Sequence, residues 1–370
     1  MANVPVRPGT PASRWRAHAQ NWQHLDAVNL CLGGHSALDL YRLRFTEIAQ
    51  VQRFFRASQA DADDPFDRAR LVHLHGQALG YLRRQFNHRM PDDIAAPERI
   101  EDLFLVASEE STFPRRRMMA CALLKVMHLV DHLEARALDR ELSVSDAELA
   151  DPVLERLTER VARARGVGAP IVSVEGGRKS RDAELTKLLL RQDSASPILD
   201  RVRMRLVTET PDDIVPVLAW MLRDLVPFNQ ILARESVNNL ASLREWLDGH
   251  AEPRDLVARL QLPPADGDVA ARAINGFSSP GFQIVNFVIQ APVRVDRLPS
   301  QVGRTFDPAL GRILYVPVEL QLVDHVTHLR NSEGECAHDR YKDRQRERAD
   351  LRLRWGAVDF PRRVSLDSED

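Results

Sequence analysis

A change of hydrophobic pattern near Gly168 limits the possible folds more than any other feature. Before it, apolar residues recur at helical spacing in four segments, which are residues 36–58, 69–87, 115–142 and 146–165. After it, short apolar runs alternate with turns, and strands are expected at residues 171–175, 197–208, 282–290 and 312–322. Helices followed by mixed strands and helices are typical of an α+β chain. We therefore predict a helical N-terminal region followed by a domain built on a mixed sheet.

The same pattern divides the chain into four parts. Residues 1–15, which include three prolines, are predicted to form a disordered tail, and residues 16–168 the helical N-terminal region. Residues 169–345 form the mixed-sheet domain, with an insertion at residues 228–279. The remaining residues, 346–370, are predicted to be a charged C-terminal tail.

Within the sheet domain, four helices are expected between the strands. One follows Ser180 and continues through Leu190, and another spans residues 211–225, with Asp212 and Asp213 in its first turn. Two more, around residues 242–247 and 253–260, belong to the insertion. Strands that alternate with helices in this way are typical of an α/β or α+β unit in the second half of the chain.

Composition excludes several functional classes. The chain has 370 residues and a net charge of −2, with 51 basic residues against 53 acidic ones, so no overall basic excess favours nucleic acid. Three well-separated cysteines are not typical of a disulfide framework or a structural zinc site. The N-terminus lacks the apolar core of a signal peptide, and no apolar run approaches the roughly 20 residues of a membrane span. We expect a soluble cytoplasmic protein.

Glu319 is the first candidate site residue. It lies in the apolar run at residues 312–322, and Gln321 shares its face because side chains two apart on a strand point the same way. A carboxylate in a buried strand costs free energy unless it is paired or binds a metal. Pairing with one of the many arginines and membership of a functional site both satisfy that requirement.

A resemblance favours the second interpretation. From Val318 to Lys342 the sequence is similar to the end of the RelA/SpoT alarmone synthetase domain, whose motif reads Val-Glu-Ile-Gln-Ile-Arg-Thr, then Met-His, Gly, Ala-Ala-His and Tyr-Lys. In one register without gaps the matching residues are Glu319, Gln321, His328, Gly334, Ala337, His338, Tyr341 and Lys342. Eight matches at the family's spacing are a specific signal.

Three further blocks match the same family in its order. Lys179, Ser180 and Lys187 keep the spacing of its two lysines, and Asp200 and Arg205 fit its Asp-x-x-Gly-x-Arg strand. Residues 281–286 align with the family's motif Gly-Tyr-Gln-Ser-Leu-His. Residues 211–225 correspond to the helix that follows the family's Asp-containing strand. The resemblance covers roughly residues 170–342, less the insertion.

The resemblance implies a nucleotidyltransferase-like fold and an ATP-dependent pyrophosphokinase. The β- and γ-phosphates of ATP would pass together to the 3′-hydroxyl of a guanine nucleotide, GTP or GDP. Such a transfer depends on charge neutralisation and alignment. By the same resemblance, Asp200 and Glu319 would hold Mg²⁺, and Glu319 would take the proton of the attacking hydroxyl.

The other roles also follow from the resemblance. Lys179, Lys187, Arg178 and Arg205 would bind ATP, while Phe282, Asn286 and Gln321 would bind the acceptor. Each has a plainer interpretation, since the four cations are otherwise solvated charges and Phe282 an ordinary core residue. His73, His75, His128, Asp131 and His132 suggest zinc, but no HExxH signature is present and ordinary structural roles are favoured.

Several positions depart from the family pattern. Read without a gap, Gly177 takes the place of the family's first Arg, and Arg203 that of its strand Gly. Asn286 replaces the acceptor His, and Val323 replaces the Arg of the last motif. The family's basic acceptor loop is absent after Pro227.

These departures leave three hypotheses open. The first is a guanine-nucleotide pyrophosphokinase. The second is transfer to the 3′ end of tRNA, as in toxic members of the superfamily. The third is an inactive module that binds a nucleotide or a partner. Retention of both Asp200 and Glu319 favours an enzyme, because a binding module has less need of paired metal carboxylates.

Overall fold

The computed structural model describes residues 25–33, 43–109, 114–191, 199–249, 279, 281–336 and 338–355. The chain is α+β, with a helical N-terminal region followed by a mixed sheet, as the sequence predicts. The helices are α1 Leu25–Leu32, α2 Ile48–Ala57, α3 Pro65–Phe86, α4 Asp92–Ala95, α5 Ile100–Ser108, α6 Pro114–Glu141, α7 Asp146–Gly166, α8 Arg181–Arg191, α9 Ile214–Trp220, α10 Leu243–Gly249, α11 His325–Asn331 and α12 His338–Trp355.

One five-stranded sheet organises the second half of the chain. Its strands are β1 Ile171–Arg178, β2 Val202–Thr208, β3 Ile231–Asn238, β4 Val285–Arg294 and β5 Ile313–Asp324, in the order β1-β2-β5-β4-β3. Only the β2 and β5 pair is parallel, and the other three pairs are antiparallel. The sheet is therefore mixed, with β5 at its centre.

One face of the sheet is buried under helices. Alternate residues of β2 and β5, such as Met204 and Leu320, are fully buried in a cluster with Leu157 of α7 and Leu218 of α9. Because strand side chains alternate between faces, the intervening residues point to the opposite side. That opposite side, here called the open face, carries the polar residues of β2 and β5.

Local side chains cap the N-termini of two long helices, α3 and α7. Ser145 and Glu148 form a reciprocal capping box at the start of α7, and Asp64 accepts hydrogen bonds from the backbone N–H groups of Phe66 and Asp67 at the start of α3. Each cap satisfies donors that a helix leaves unpaired. These two helices accordingly begin within a few residues of the predicted positions.

The helix predicted over residues 36–58 is only partly confirmed. Residues 43–47 are not helical, and α2 begins at Ile48. The backbone N–H of Phe45 donates to Ser108 Oγ at 3.0 Å, and the Phe45 ring lies 5.7 Å from the ring of Phe104. Tertiary contacts with α5 thus hold this segment extended against the helical preference of its sequence.

The insertion and the C-terminus also differ from expectation. Residues 231–238 of the insertion form the edge strand β3, which was not predicted, while the helix expected at 242–247 is present as α10. The helix expected at 253–260 and the tail at 1–15 lie outside the described residues. α12 continues to Trp355, so residues 346–355 are helical and not part of a tail.

The helical region has a hydrophobic core of its own and a polar junction with the sheet domain. Its core joins α2, α3, α5 and the first half of α6. The junction network consists of Asp64, Asp67, Arg294, Asp296 and Arg312. Arg294 reaches Asp67 at 3.1 Å and Asp296 at 2.7 Å, and Arg312 reaches Asp64 at 2.6 Å and Asp67 at 3.0 Å. The buried Asp67 and the partly exposed Asp64 and Asp296, paired with Arg294 and Arg312, thus fix α3 to the end of β4 and the start of β5.

The candidate zinc residues of the helical region have structural partners. His75 Nε2 lies 2.9 Å from the backbone oxygen of Ile94, and His132 lies 3.0 Å from Gln230 and stacks on the ring of Tyr315. The Tyr315 hydroxyl donates to Asp131. Burial and the neighbouring His132 lower the pKa of His128 to about 4. Asp131 and His132 thus belong to the contact between α6 and β5, and His75 to the contact between α3 and α4.

None of the helices in the described ranges combines the length and the apolar character that crossing a bilayer requires.

Candidate active site

The candidate site lies on the open face, where the strand register brings distant residues together. On β2 and β5, Arg203 pairs with Glu319 and Arg205 with Gln321. Asn286 of β4 pairs with Gln321 from the other side. Partners in a ladder project to the same face of a sheet. Three strands therefore place these five residues on one surface.

Asp200 and two lysines form the first cluster of this surface. Lys179 Nζ lies 2.7 Å from Asp200 Oδ2, and Lys187 Nζ lies 2.6 Å from Asp200 Oδ1. Lys179 is held there because its backbone N–H donates to the oxygen of Arg201 at 2.7 Å, while Lys187 projects from α8. Burial alone would raise the pKa of Asp200, but both lysines bond to it and bring the pKa down to about 2. Asp200 is therefore ionised at neutral pH.

Glu319 and Asn286 form the second cluster. Asn286 Nδ2 donates to Glu319 Oε1 at 3.0 Å. Burial raises the pKa of Glu319, and the negative charge of Asp200 raises it further, whereas Arg203 and the Asn286 bond act in the opposite direction. A carboxylate with a raised pKa is a better proton acceptor near neutral pH than an ordinary Glu. Glu319 thus has the environment of a general base.

Arg205 is held by neighbours on both sides. Its Nε donates to Gln321 Oε1 at 2.9 Å, and its Nη1 lies 3.6 Å from Glu175 Oε2 on β1. His328 of α11 lies 3.8 Å from the other oxygen of Glu175. Burial lowers the pKa of Arg205, and nearby Arg203 lowers it further. The guanidinium group is therefore positioned in advance by two side chains, Gln321 from β5 and Glu175 from β1.

Arg178 does not join these residues. It pairs with Val202, a core-facing residue of β2, and its side chain lies 3.4 Å from Asp151 of α7 on the helix-covered side of the sheet. Gly177, which takes the place of the family's first Arg when the motif is read without a gap, lies on the open face opposite Arg203. The role in ATP binding expected for Arg178 therefore does not fit its position.

Phe282 lies in the turn before β4, outside the strand predicted from residue 282. Its ring is half-buried, and its backbone N–H donates to the oxygen of Ser279. Gln283, next in the chain, is tied to Asn331 of α11 by two hydrogen bonds of 3.2 and 2.7 Å. The turn is therefore anchored beside α11, and stacking of Phe282 on an acceptor base remains a prediction.

No role is predicted from the sequence for Glu175, which lies beside Arg205, or for His328, which lies beside Glu175. The signal was present for Glu175, which lies two residues before Gly177 and so shares its face. For His328 the motif match alone was available. Its position beside Glu175 depends on the chain turning back after β5 into α11, which no local pattern indicates.

The residues present fit a magnesium ion, the cofactor that the resemblance implies. Mg²⁺ prefers oxygen ligands and is commonly held by one or two carboxylates together with substrate phosphates. Asp200 and Glu319 are close enough for the charge of one to raise the pKa of the other, and a divalent cation would relieve that repulsion. Asn286 Oδ1 is buried with no hydrogen-bond partner among the described residues. Within the described ranges, no group of three or more His, Cys, Asp or Glu side chains could hold a metal ion. Substrate phosphates would therefore have to complete the magnesium site.

Comparisons with known proteins give weak likenesses. No family model matches the chain, and no curated protein matches it. Among solved structures it is similar to the small alarmone synthetase 1 from Bacillus subtilis, with a TM-score of 0.31 and 14% identity over 56% of this chain and 88% of that one. The same synthetase bound to its product pppGpp gives 0.32 and 15% over 59% and 92%.

A GTP pyrophosphokinase family protein from Streptococcus pneumoniae gives a TM-score of 0.27 and 14% identity, over 58% of this chain and 90% of that one. Identities and TM-scores this low do not define a chemistry. The chemistry has to come from the residues of the open face.

Proposed function

We propose that this chain is a pyrophosphokinase, a divergent member of the RelA/SpoT-like synthetases. It transfers the β,γ-diphosphoryl group of ATP to the 3′-hydroxyl of a guanine nucleotide, with AMP as the leaving group. The observation that carries the proposal is the pair of carboxylates: half-buried Glu319, with a raised pKa, stands beside Asp200, which holds two lysines. Each of these four residues occupies a motif position in the family's order.

In the proposed reaction a bond forms between the acceptor 3′-oxygen and Pβ, and the bond between Pβ and the oxygen bridging it to Pα breaks. Glu319 accepts the proton of the attacking hydroxyl, and AMP leaves with the bridging oxygen. Little covalent help from the protein is needed, so most of the rate comes from positioning and from charges that match the phosphates. The open face provides both.

Lys179 and Lys187 are the proposed phosphate ligands. Both bond to Asp200 in the structure, one to each carboxylate oxygen. Ammonium groups bind phosphate oxygens as point charges, so a triphosphate can take over part of their bonding. Mg²⁺ held by Asp200 and Glu319 would supply further neutralisation of the phosphate charge. Arg205, fixed by Gln321 and Glu175, would bind at the ATP side.

The acceptor side is proposed to include Asn286, Gln321 and Phe282. Asn286 replaces a histidine of the family and cannot titrate, so its contribution is hydrogen bonding. Its amide nitrogen donates to Glu319, while its buried Oδ1 lacks a partner in the described part of the chain. A buried acceptor without a partner costs free energy that a hydroxyl or water donor would recover. Asn286 can therefore align an acceptor hydroxyl beside the base.

One observation favours the alternative of an inactive nucleotide-binding module. Val323, which stands where the family has Arg, is 1% exposed, so this position supplies no guanidinium group. The same change is compatible with a different acceptor, such as the 3′ end of tRNA. We also propose a cytoplasmic location, because all three cysteines are free thiols, which a reducing compartment permits.

A label-transfer assay tests the proposed function. Purified protein with Mg²⁺ and γ-labelled ATP is offered GTP, GDP and bulk tRNA separately, and we expect the label on GTP or GDP. Label on tRNA alone would show that the acceptor is tRNA and that the reaction is still pyrophosphate transfer. No transfer to any acceptor, with ATP binding intact, would contradict the proposed enzymatic activity. The inactive nucleotide-binding module would then be the favoured hypothesis.

A further inference from the structure

Arg203 is an exposed cation on the open face. In the strand register it stands between Gly177 of β1 and Glu319 of β5. Within the ranges that the structure describes, it makes no hydrogen bond and no ion pair. It is close enough to Glu319 for its charge to lower the pKa of that carboxyl. An unmatched guanidinium group beside the proposed base is available to bind something outside the protein.

The neighbouring cations are matched by protein groups. Lys179 and Lys187 share the single carboxylate of Asp200. Arg205 is bonded to Gln321 and lies near Glu175. An incoming polyphosphate has to compete with a protein partner for each of these three groups. At Arg203 the described residues offer no hydrogen bond or ion pair, and the charge of Glu319 acts on it. Binding a polyphosphate there therefore breaks no bond to a protein group.

Gly177 leaves space next to Arg203. A Cβ added at Gly177 would meet no atom within 4 Å. The strand position directly across from Arg203 therefore carries no side chain and faces open space. A guanidinium group can lie over β1 there, toward Lys179, which follows two residues later. Planar guanidinium groups bind phosphate through two parallel hydrogen bonds, and that geometry needs such clearance.

We infer that Arg203 binds the polyphosphate chain of the nucleotide donor from β2, over the bare position of Gly177. The inference rests on the proposed function. It also accounts for two departures from the family pattern together, since Arg and Gly have exchanged places between directly paired residues of β1 and β2. The charge that the family supplies from one strand is supplied here from its neighbour.

Calorimetric titration with α,β-methylene-ATP and Mg²⁺ tests this. We expect Arg203→Ala to weaken binding at least about tenfold, the scale of one lost charge-assisted contact. The exchange variant, Gly177→Arg combined with Arg203→Gly, places the guanidinium group on β1 and should recover most of the affinity. Arg163→Ala is the matched control, because it removes an exposed arginine from α7 and should leave affinity unchanged.

The outcomes separate this inference from the proposed function. Affinity within twofold of the unsubstituted protein for Arg203→Ala, with pyrophosphate transfer still observed, would overturn the inference alone. Weakened binding without recovery in the exchange variant would also contradict it, because a merely structural loss is not restored by moving the charge. No binding of the analogue by the unsubstituted protein would overturn both.

Discussion

Replacing Glu319 with Gln is expected to reduce pyrophosphate transfer by about 10²- to 10⁴-fold, the usual contribution of a positioned general base. Gln has the same shape and keeps an oxygen that can accept from Asn286 Nδ2. It cannot take a proton from the acceptor hydroxyl. The change also removes the repulsion between Glu319 and Asp200, so thermal stability should not fall. The measurement is the single-turnover transfer rate with saturating ATP and acceptor.

The pH dependence gives the same assignment a second test. A base works when deprotonated, so the rate should rise with pH through the pKa of Glu319 and then level off. Without Mg²⁺, burial and Asp200 raise that pKa above its ordinary value. Mg²⁺ held by Asp200 and Glu319 would offset the repulsion from Asp200, so the rise should move to lower pH as the Mg²⁺ concentration increases. Glu159→Gln, an exposed carboxylate of α7, is the matched control and should keep both rate and profile. A Glu319→Gln variant with more than a tenth of the original rate would contradict the assignment.

Replacing Arg294 with Met is expected to cost about 3–5 kcal/mol of unfolding free energy, the scale measured when one partner of a buried ion pair is removed. Arg294 is 8% exposed and bonds to Asp67 and Asp296. Met conserves much of its volume, so little of the loss comes from packing. Three carboxylates of the junction network would then face the single guanidinium group of Arg312. Chemical denaturation of the full chain measures the change.

Arg163→Met is the control for the junction. Arg163 forms an exposed pair with Glu159 at 3.6 Å on α7, and such pairs contribute about 0–1 kcal/mol. A decrease in unfolding free energy below about 1 kcal/mol for Arg294→Met would contradict this prediction. It would mean that the charges left without Arg294 are well solvated. The loss we expect would show that the helical region and the sheet domain stabilise each other through these side chains.

The parts of the fold with local signals were predictable. The face of β5 follows from two-residue alternation, which places Glu319 and Gln321 on one side. Long helices with caps, such as α7, follow from periodicity and Ser145. A one-residue error on a strand reverses the face, and this is why Arg178 was assigned to a site from which it points away.

The remaining features depend on contacts between distant parts of the chain. Arg294 and Asp67 are 227 residues apart, so no local pattern links them. The strand β3 exists because it pairs with β4, while its own sequence shows no clear alternation. The Asn286 bond to Glu319 spans 33 residues and required the register of β4 on β5. Long-range pairing of this kind appears only when the tertiary structure is known.

The central claim is that two phosphates move as one group. The most direct measurement uses ATP labelled in parallel at the β- and at the γ-phosphate, with GTP as acceptor and AMP quantified in the same reactions. We predict that both labels reach the acceptor in equal amounts and that one AMP forms for each transfer. Movement of the γ-label alone, with ADP as the product, would contradict the account, because Glu319 and Asp200 would then serve a phosphokinase.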